Sequence, residues 1–125
     1  MTKIIVIDKE SSNNTEFELV DINVREGYGV IHNSKYGFCR QSLALLEFTN
    51  KHRESADISE EVIDKVMYLA DDNTAGTVMD REAIRLTLNS YRNDATPQMY
   101  ESDSGYIVKE QDIRLALKMF NLIKT

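Results

Sequence analysis

This chain has no tryptophan, one cysteine, one proline and two histidines. Each shortage excludes something. A lone Cys39 forms no internal disulfide, so a reducing cytoplasm is the expected compartment. Two histidines, His32 and His52, in no HxxxH or HxxE pattern exclude the usual zinc constellations. No apolar run approaches the ~20 residues needed to cross a bilayer; the longest is Ile4-Ile5-Val6-Ile7. No membrane partner and no secretory leader are expected. A phosphate-binding glycine loop and a nucleophile elbow are both missing. With no acid–base or nucleophile pair in view, the chain reads as a non-enzyme with no catalytic residue and no cofactor.

What is present begins with charge. The net charge is −6, and its placement is uneven. Residues 1–53 carry seven Lys and Arg against seven Asp and Glu, whereas residues 54–125 carry eight against fourteen. All the surplus acid therefore lies in the C-terminal part. That field repels a phosphate backbone, so direct nucleic-acid binding is not expected. A basic surface on another protein is the fitting partner.

The most specific signal is an internal repeat. Residues 75–91 recur as residues 104–120, displaced by 29 positions. Gly76 falls on Gly105, Val78 on Ile107, Ile84-Arg85-Leu86 on Ile113-Arg114-Leu115, Leu88 on Leu117 and Tyr91 on Phe120. One loop-plus-helix unit used twice is predicted, with Ile84 and Ile113 turned inward.

Along the chain, Lys3 to Asp8 and Thr15 to Val24 read as strands. The second changes phase: Phe17 and Leu19 share one face, Val20, Ile22 and Val24 the other. A bulge near Leu19-Val20 would bring both sets to the core. Gly27 to His32 and Tyr36 to Gln41 flank a hairpin turn at Asn33-Ser34-Lys35. A two-residue turn places Cys39 opposite Tyr28, a four-residue loop opposite Val30; in neither register does His32 face Cys39. From Ser42 the pattern turns helical, and helices are predicted at Ser42 to about Arg53, from Asp57 (as a cap) to about Asp71, about Asp80 to Arg92, and Lys109 to Ile123. Asn93 to Ser104, with Pro97, reads as a loop. The expectation is one α+β domain over residues 1–125: a small N-terminal antiparallel sheet of three or four strands in residues 1–41, packed with three or four helices in residues 42–125.

Asp71, Asn73, Gly76 and Glu82 fall at positions one, three, six and twelve of a loop between helices, with Val78 at the eighth. This segment resembles an EF-hand calcium loop. The resemblance implies oxygen ligands from Asp71, Asn73 and Glu82, a turn at the glycine, and side-by-side pairing of two loops through the apolar eighth residue. It departs from the pattern at Ala75 and Met79, where the fifth and ninth ligands are lost. The second copy has Tyr100 and Gln111 at positions one and twelve, so it should bind no calcium. A degenerate, calcium-responsive module is one reading.

Arg85 and Arg114 hold equivalent places in the repeat, with Arg92 two turns beyond Arg85. Converging, they would clamp a small anion or nucleotide, in a homo-oligomer for instance. The alternative is that they neutralise neighbouring carboxylates. The leading expectation is a regulator or inhibitor that binds another protein. Its contacts would be an acidic helical surface that includes Asp64, Asp71 and Asp72, and an aromatic hairpin that includes Tyr28 and Tyr36.

Overall fold

The computed structural model describes residues 3–11, 14–49 and 58–123. His52 and Asp57 lie outside these residues, as does the end of the helix expected from Ser42. The chain divides into two compact units, residues 1–51 and 52–125, and the α+β class is as expected from the sequence.

The first unit is an antiparallel sheet of five strands: β1 (Ile5–Asp8), β2 (Glu16–Asn23), β3 (Tyr28–Asn33), β4 (Gly37–Ser42) and β5 (Leu46–Phe48), in the order β4-β3-β2-β1-β5. One face of these strands builds a core from Ile4, Val6, Phe17, Leu19, Ile22, Ile31 and Leu46. The phase change in β2 is resolved as the sequence implied. Leu19 pairs with Ile31 and Asp21 with Val30, so Val20 is the extra residue of a bulge. Ile22 thereby joins Phe17 and Leu19 inside, while Val20 itself stays exposed.

The β3–β4 turn differs from both registers considered. Asn33 pairs with Gly37, which leaves a three-residue loop. Gly37 sits at φ +73°, the left-handed position that closes such a turn. Asn33 accepts from the Lys35 amide and donates to the Glu16 carbonyl, tying the start of the loop to β2. Cys39 is consequently opposite Ile31, and His32 opposite Phe38 on the other face. That His32 does not face Cys39 still holds.

The helix expected from Ser42 is not formed. Ser42 does cap a turn, accepting from the Ala44 amide, but only one 3₁₀ turn follows, Leu43–Leu45. The chain then enters β5, where Leu46, Glu47 and Phe48 pair with Asp8, Ile7 and Val6. Good helix formers yield here because β1 has an unpaired edge and alternate residues Leu46 and Phe48 fit a strand; propensity is a weak prior against ladder pairing.

The second unit holds three helices, α1 (Glu60–Ala70), α2 (Arg81–Asn93) and α3 (Glu110–Met119), and a two-stranded ribbon of β6 (Thr77–Met79) with β7 (Tyr106–Val108). Its core is the apolar stripes of the helices, with Ile63, Val66, Ile84, Leu88, Ile113 and Leu117 fully buried. The two repeat copies share one conformation, a short strand followed by a helix, and Ile84 and Ile113 are both turned inward. The last helix stops before Ile123. Asn121 takes φ +55°, the Leu122 amide bonds the Leu117 carbonyl and the Asn121 amide bonds that of Lys118. This Schellman end buries Leu122 beside the helix rather than extending it. No helix among the described residues is long and apolar enough to cross a membrane.

Candidate interaction surfaces

The paired loops are built by the repeat. In the first copy, α1 ends at Asp71, Gly76 (φ +153°) turns the chain, and β6 leads to Asp80, whose carboxylate caps α2 by accepting from the Ala83 amide at 2.8 Å. In the second, Gly105 (φ +144°) turns the chain into β7 and then α3. Val78 pairs with Ile107, equivalent residues of the two copies, so the ribbon carries a local two-fold relation. Each glycine lies against the opposite strand. A Cβ on Gly76 would come within 2.7 Å of the Val108 carbonyl oxygen, and one on Gly105 would overlap the Met79 carbonyl. Residues 79 and 108 are themselves equivalents. The two glycines are therefore fixed by backbone approach across the ribbon as well as by conformation.

A polar bridge ties the loops together. The Asn73 amide donates to the Ile107 carbonyl (2.9 Å) and to Asp112 Oδ2 (2.8 Å). The same Oδ2 accepts from the Lys109 backbone amide at 2.9 Å, so Asp112 caps α3 from its third position. Ser102, the equivalent of Asn73, donates its backbone amide to the Val78 carbonyl (2.7 Å) and accepts from the Asp80 amide on its hydroxyl (3.2 Å). Equivalent carbonyls at 78 and 107 are thus satisfied, once by a backbone N–H and once by a side chain. Asp112 is fully buried, and its Oδ1 has no partner among the described residues.

The side-by-side pairing that the EF-hand resemblance implies through Val78 is present. Of the three residues, Glu82 accepts from Arg85 at 2.8 Å, and Asn73 is oriented by its amide nitrogen, which donates to Ile107 and Asp112. Met79, at the ninth position, is fully buried in the core. Asp71 is exposed at the end of α1. Among the described residues no group of three His, Cys, Asp or Glu is placed to hold a metal ion.

The segment between α2 and β7 occupies the place where a paired helix–loop–helix would need a second entering helix. It forms no helix, and buried hydroxyls on α2 hold it. Thr87 Oγ1 accepts from the Tyr100 amide (3.0 Å) while donating to the Ala83 carbonyl, and Ser90 Oγ accepts from the Gln98 amide (3.0 Å) while donating to Asp94. The equivalent positions on α3 are Ala116 and Met119, both apolar and buried.

Neighbouring carboxylates pair with three of the helix arginines. Arg85 bridges Glu60 and Glu82, Arg81 bridges Glu60 and Asp64, and Arg114 pairs with Glu110 while lying 5.0 Å over the Tyr91 ring. Arg92, half-buried near the end of α2, also has an interaction partner. The hydrogen bond from Arg81, helped by a second from Arg85, holds the Glu60 carboxyl below its ordinary value, and Glu60 in turn raises Arg81. Burial, with Glu110 nearby, pushes the Tyr91 phenol up.

Those pairs leave the acid elsewhere. Asp71, Asp72, Glu101 and Asp103 are exposed on the two loops, and none of the ion pairs among the described residues reaches them. Asp64, by contrast, is committed to Arg81. On the first unit, Tyr28 is half-buried under Arg40 (4.1 Å), and Tyr36 is 52% exposed, tilted against Phe17 with Lys35 over its ring. The most exposed large hydrophobic side chain there is Phe38, 72% accessible and 4.5 Å from the His32 ring.

Asp112, Thr87 and Ser90 were missed as working residues by sequence reasoning. A signal existed: alignment of the copies sets Asp112 on Ala83, Thr87 on Ala116 and Ser90 on Met119, polar against apolar at inward positions of an otherwise matched repeat. No protein-family model matches the chain, and no curated protein or solved structure is significantly similar to it.

Proposed function

We propose that this chain is a non-enzymatic regulator or inhibitor that works in the cytoplasm by binding another protein. The observation that carries this reading is the sorting of charge on the second unit. Arginines on α2 and α3 neutralise carboxylates along the helices, whereas Asp71, Asp72, Glu101 and Asp103 remain exposed on the loops. The partner is a protein with a basic surface, steered by those loops. The loop pair is tied by hydrogen bonds already made, so the surface is preorganised rather than switched on by a metal. The exposed aromatics of the β3–β4 hairpin are a second contact region.

The test is capture of the partner with the wild-type chain and with a variant carrying Asp71→Lys and Asp72→Lys. Capture should weaken steeply between low and physiological salt and be lost in the variant. Asp64→Lys should matter less, because Asp64 already answers Arg81. Capture indifferent to salt and to both loop reversals would refute the reading.

A further inference from the structure

The order β4-β3-β2-β1-β5 leaves β4 as an edge strand of six residues, about 20 Å of backbone at ~3.4 Å per residue. Its hydrogen-bonding sense is fixed at one end. The Leu43 amide bonds the Gly27 carbonyl on the β3 side, while the Ser42 amide is taken by its neighbour's side chain, Gln41 Oε1. Alternation along an antiparallel strand then turns the Cys39 and Gln41 backbone groups to β3, and those of Phe38 and Arg40 to the open side. The ladder agrees: His32 and Phe38 approach as a close pair, with rings 4.5 Å apart. Two N–H and two C=O groups are therefore presented along an edge that has neither a proline nor a bulge to blunt it.

The side chains beside these groups choose the occupant. Phe38 is 72% exposed, and Arg40, drawn over the Tyr28 ring, keeps its charge on the outer face. From Asn33 to Leu46 the chain carries Lys35 and Arg40 and no carboxylate, and the carboxylates that reach β4, Asp8 and Glu10, accept from the Gln41 side-chain amide. A second copy added antiparallel about Cys39 would set Arg40 against Phe38 and supply neither arginine with a carboxylate. An acidic strand meets complementary charge instead. We infer that β4 receives an extended acidic segment of a partner protein as a sixth strand, with a carboxylate opposite Arg40 and an apolar residue opposite Phe38. The inference deepens the proposed function at the hairpin and is separable from the acidic loops.

The probe is a short synthetic peptide in which Glu alternates with Val and Thr, with a control carrying Lys for Glu, titrated into the isotopically labelled full chain. The acidic peptide should shift the Phe38 and Arg40 amides and protect them from exchange, leaving the Cys39 and Gln41 amides as they were. The Lys peptide should do neither. Arg40→Pro removes an outward N–H and the charge without touching the β3 ladder, and should weaken the peptide by about tenfold or more. Arg40→Glu should reverse the preference between peptides. Asp71→Lys with Asp72→Lys should leave peptide binding unchanged, so failure here and failure of the loop contact are told apart. Equal shifts by both peptides, shifts away from β4, silence from both, or a β4-mediated dimer in sedimentation would each overturn the inference.

Discussion

The two copies of the repeat have the same backbone course and the same buried isoleucine, yet they secure their helices differently. Copy one caps α2 from the N-cap itself, Asp80, with Ala83 inside. Copy two has Lys109 at that place and moves the carboxylate three residues on, to Asp112, where it is buried and also holds Asn73 of copy one. On the far side of the helices the inequality reverses. Thr87 and Ser90 of α2 accept from amides of the connecting segment; Ala116 and Met119 of α3 are buried and apolar. Identical geometry thus tolerates opposite polarity wherever a hydrogen bond can be relocated, and tolerates no change where backbone meets backbone.

The largest break in this comparison should come at the glycines. Gly105→Ala should cost about 2–4 kcal/mol, because the methyl would overlap the Met79 carbonyl and the backbone lies at φ +144°. Chemical denaturation would measure it. Thr87→Val, nearly isosteric, leaves the buried end of the Tyr100 amide without its acceptor and should cost about 1–2 kcal/mol, with faster exchange at Tyr100. Asp80→Ala removes the α2 cap for about 1 kcal/mol and should leave α3, capped by its own Asp112, unaffected in helix-resolved exchange.

The smallest effect concerns Glu60. Its folded carboxyl sits below the ordinary glutamate value of 4.5 because of Arg81, so its contribution is present above that value and is lost as pH falls through the lower folded one. Thermal unfolding of the wild type should therefore lose stability below about pH 4.5, and Glu60→Gln should lose less over the same window. Both partners are exposed, which keeps the difference small and salt-sensitive.

How much of this was legible in the sequence follows from what each feature rests on. Periodicity exposed α2 and α3, and the phase change in β2 announced its bulge, since both are local patterns of side-chain burial. The segment after Ser42 was misread as helix because Leu43 to Phe48 are good helix formers, and only the vacant edge of β1 makes them a turn and a strand. The hairpin register was misplaced because Gly37, rather than Asn33-Ser34, closes the loop. Of the site, the exposed Asp71 and Asp72 were visible as charge. The arginines were seen but their partners were not: Glu60 lies 25 residues from Arg85 in sequence and beside it in space. Asp112 escaped because a carboxylate on an apolar stripe looks like an exception until Asn73 is found against it.

The account of the paired loops centres on the bridge from Asn73 to Asp112. A double-mutant cycle on Asn73→Ala and Asp112→Ala, read by equilibrium unfolding with and without calcium, tests it directly. A coupling of about 1–2 kcal/mol that calcium leaves unchanged is the expected result. Additivity within about 0.3 kcal/mol, or stabilisation of the wild type by calcium, would contradict it.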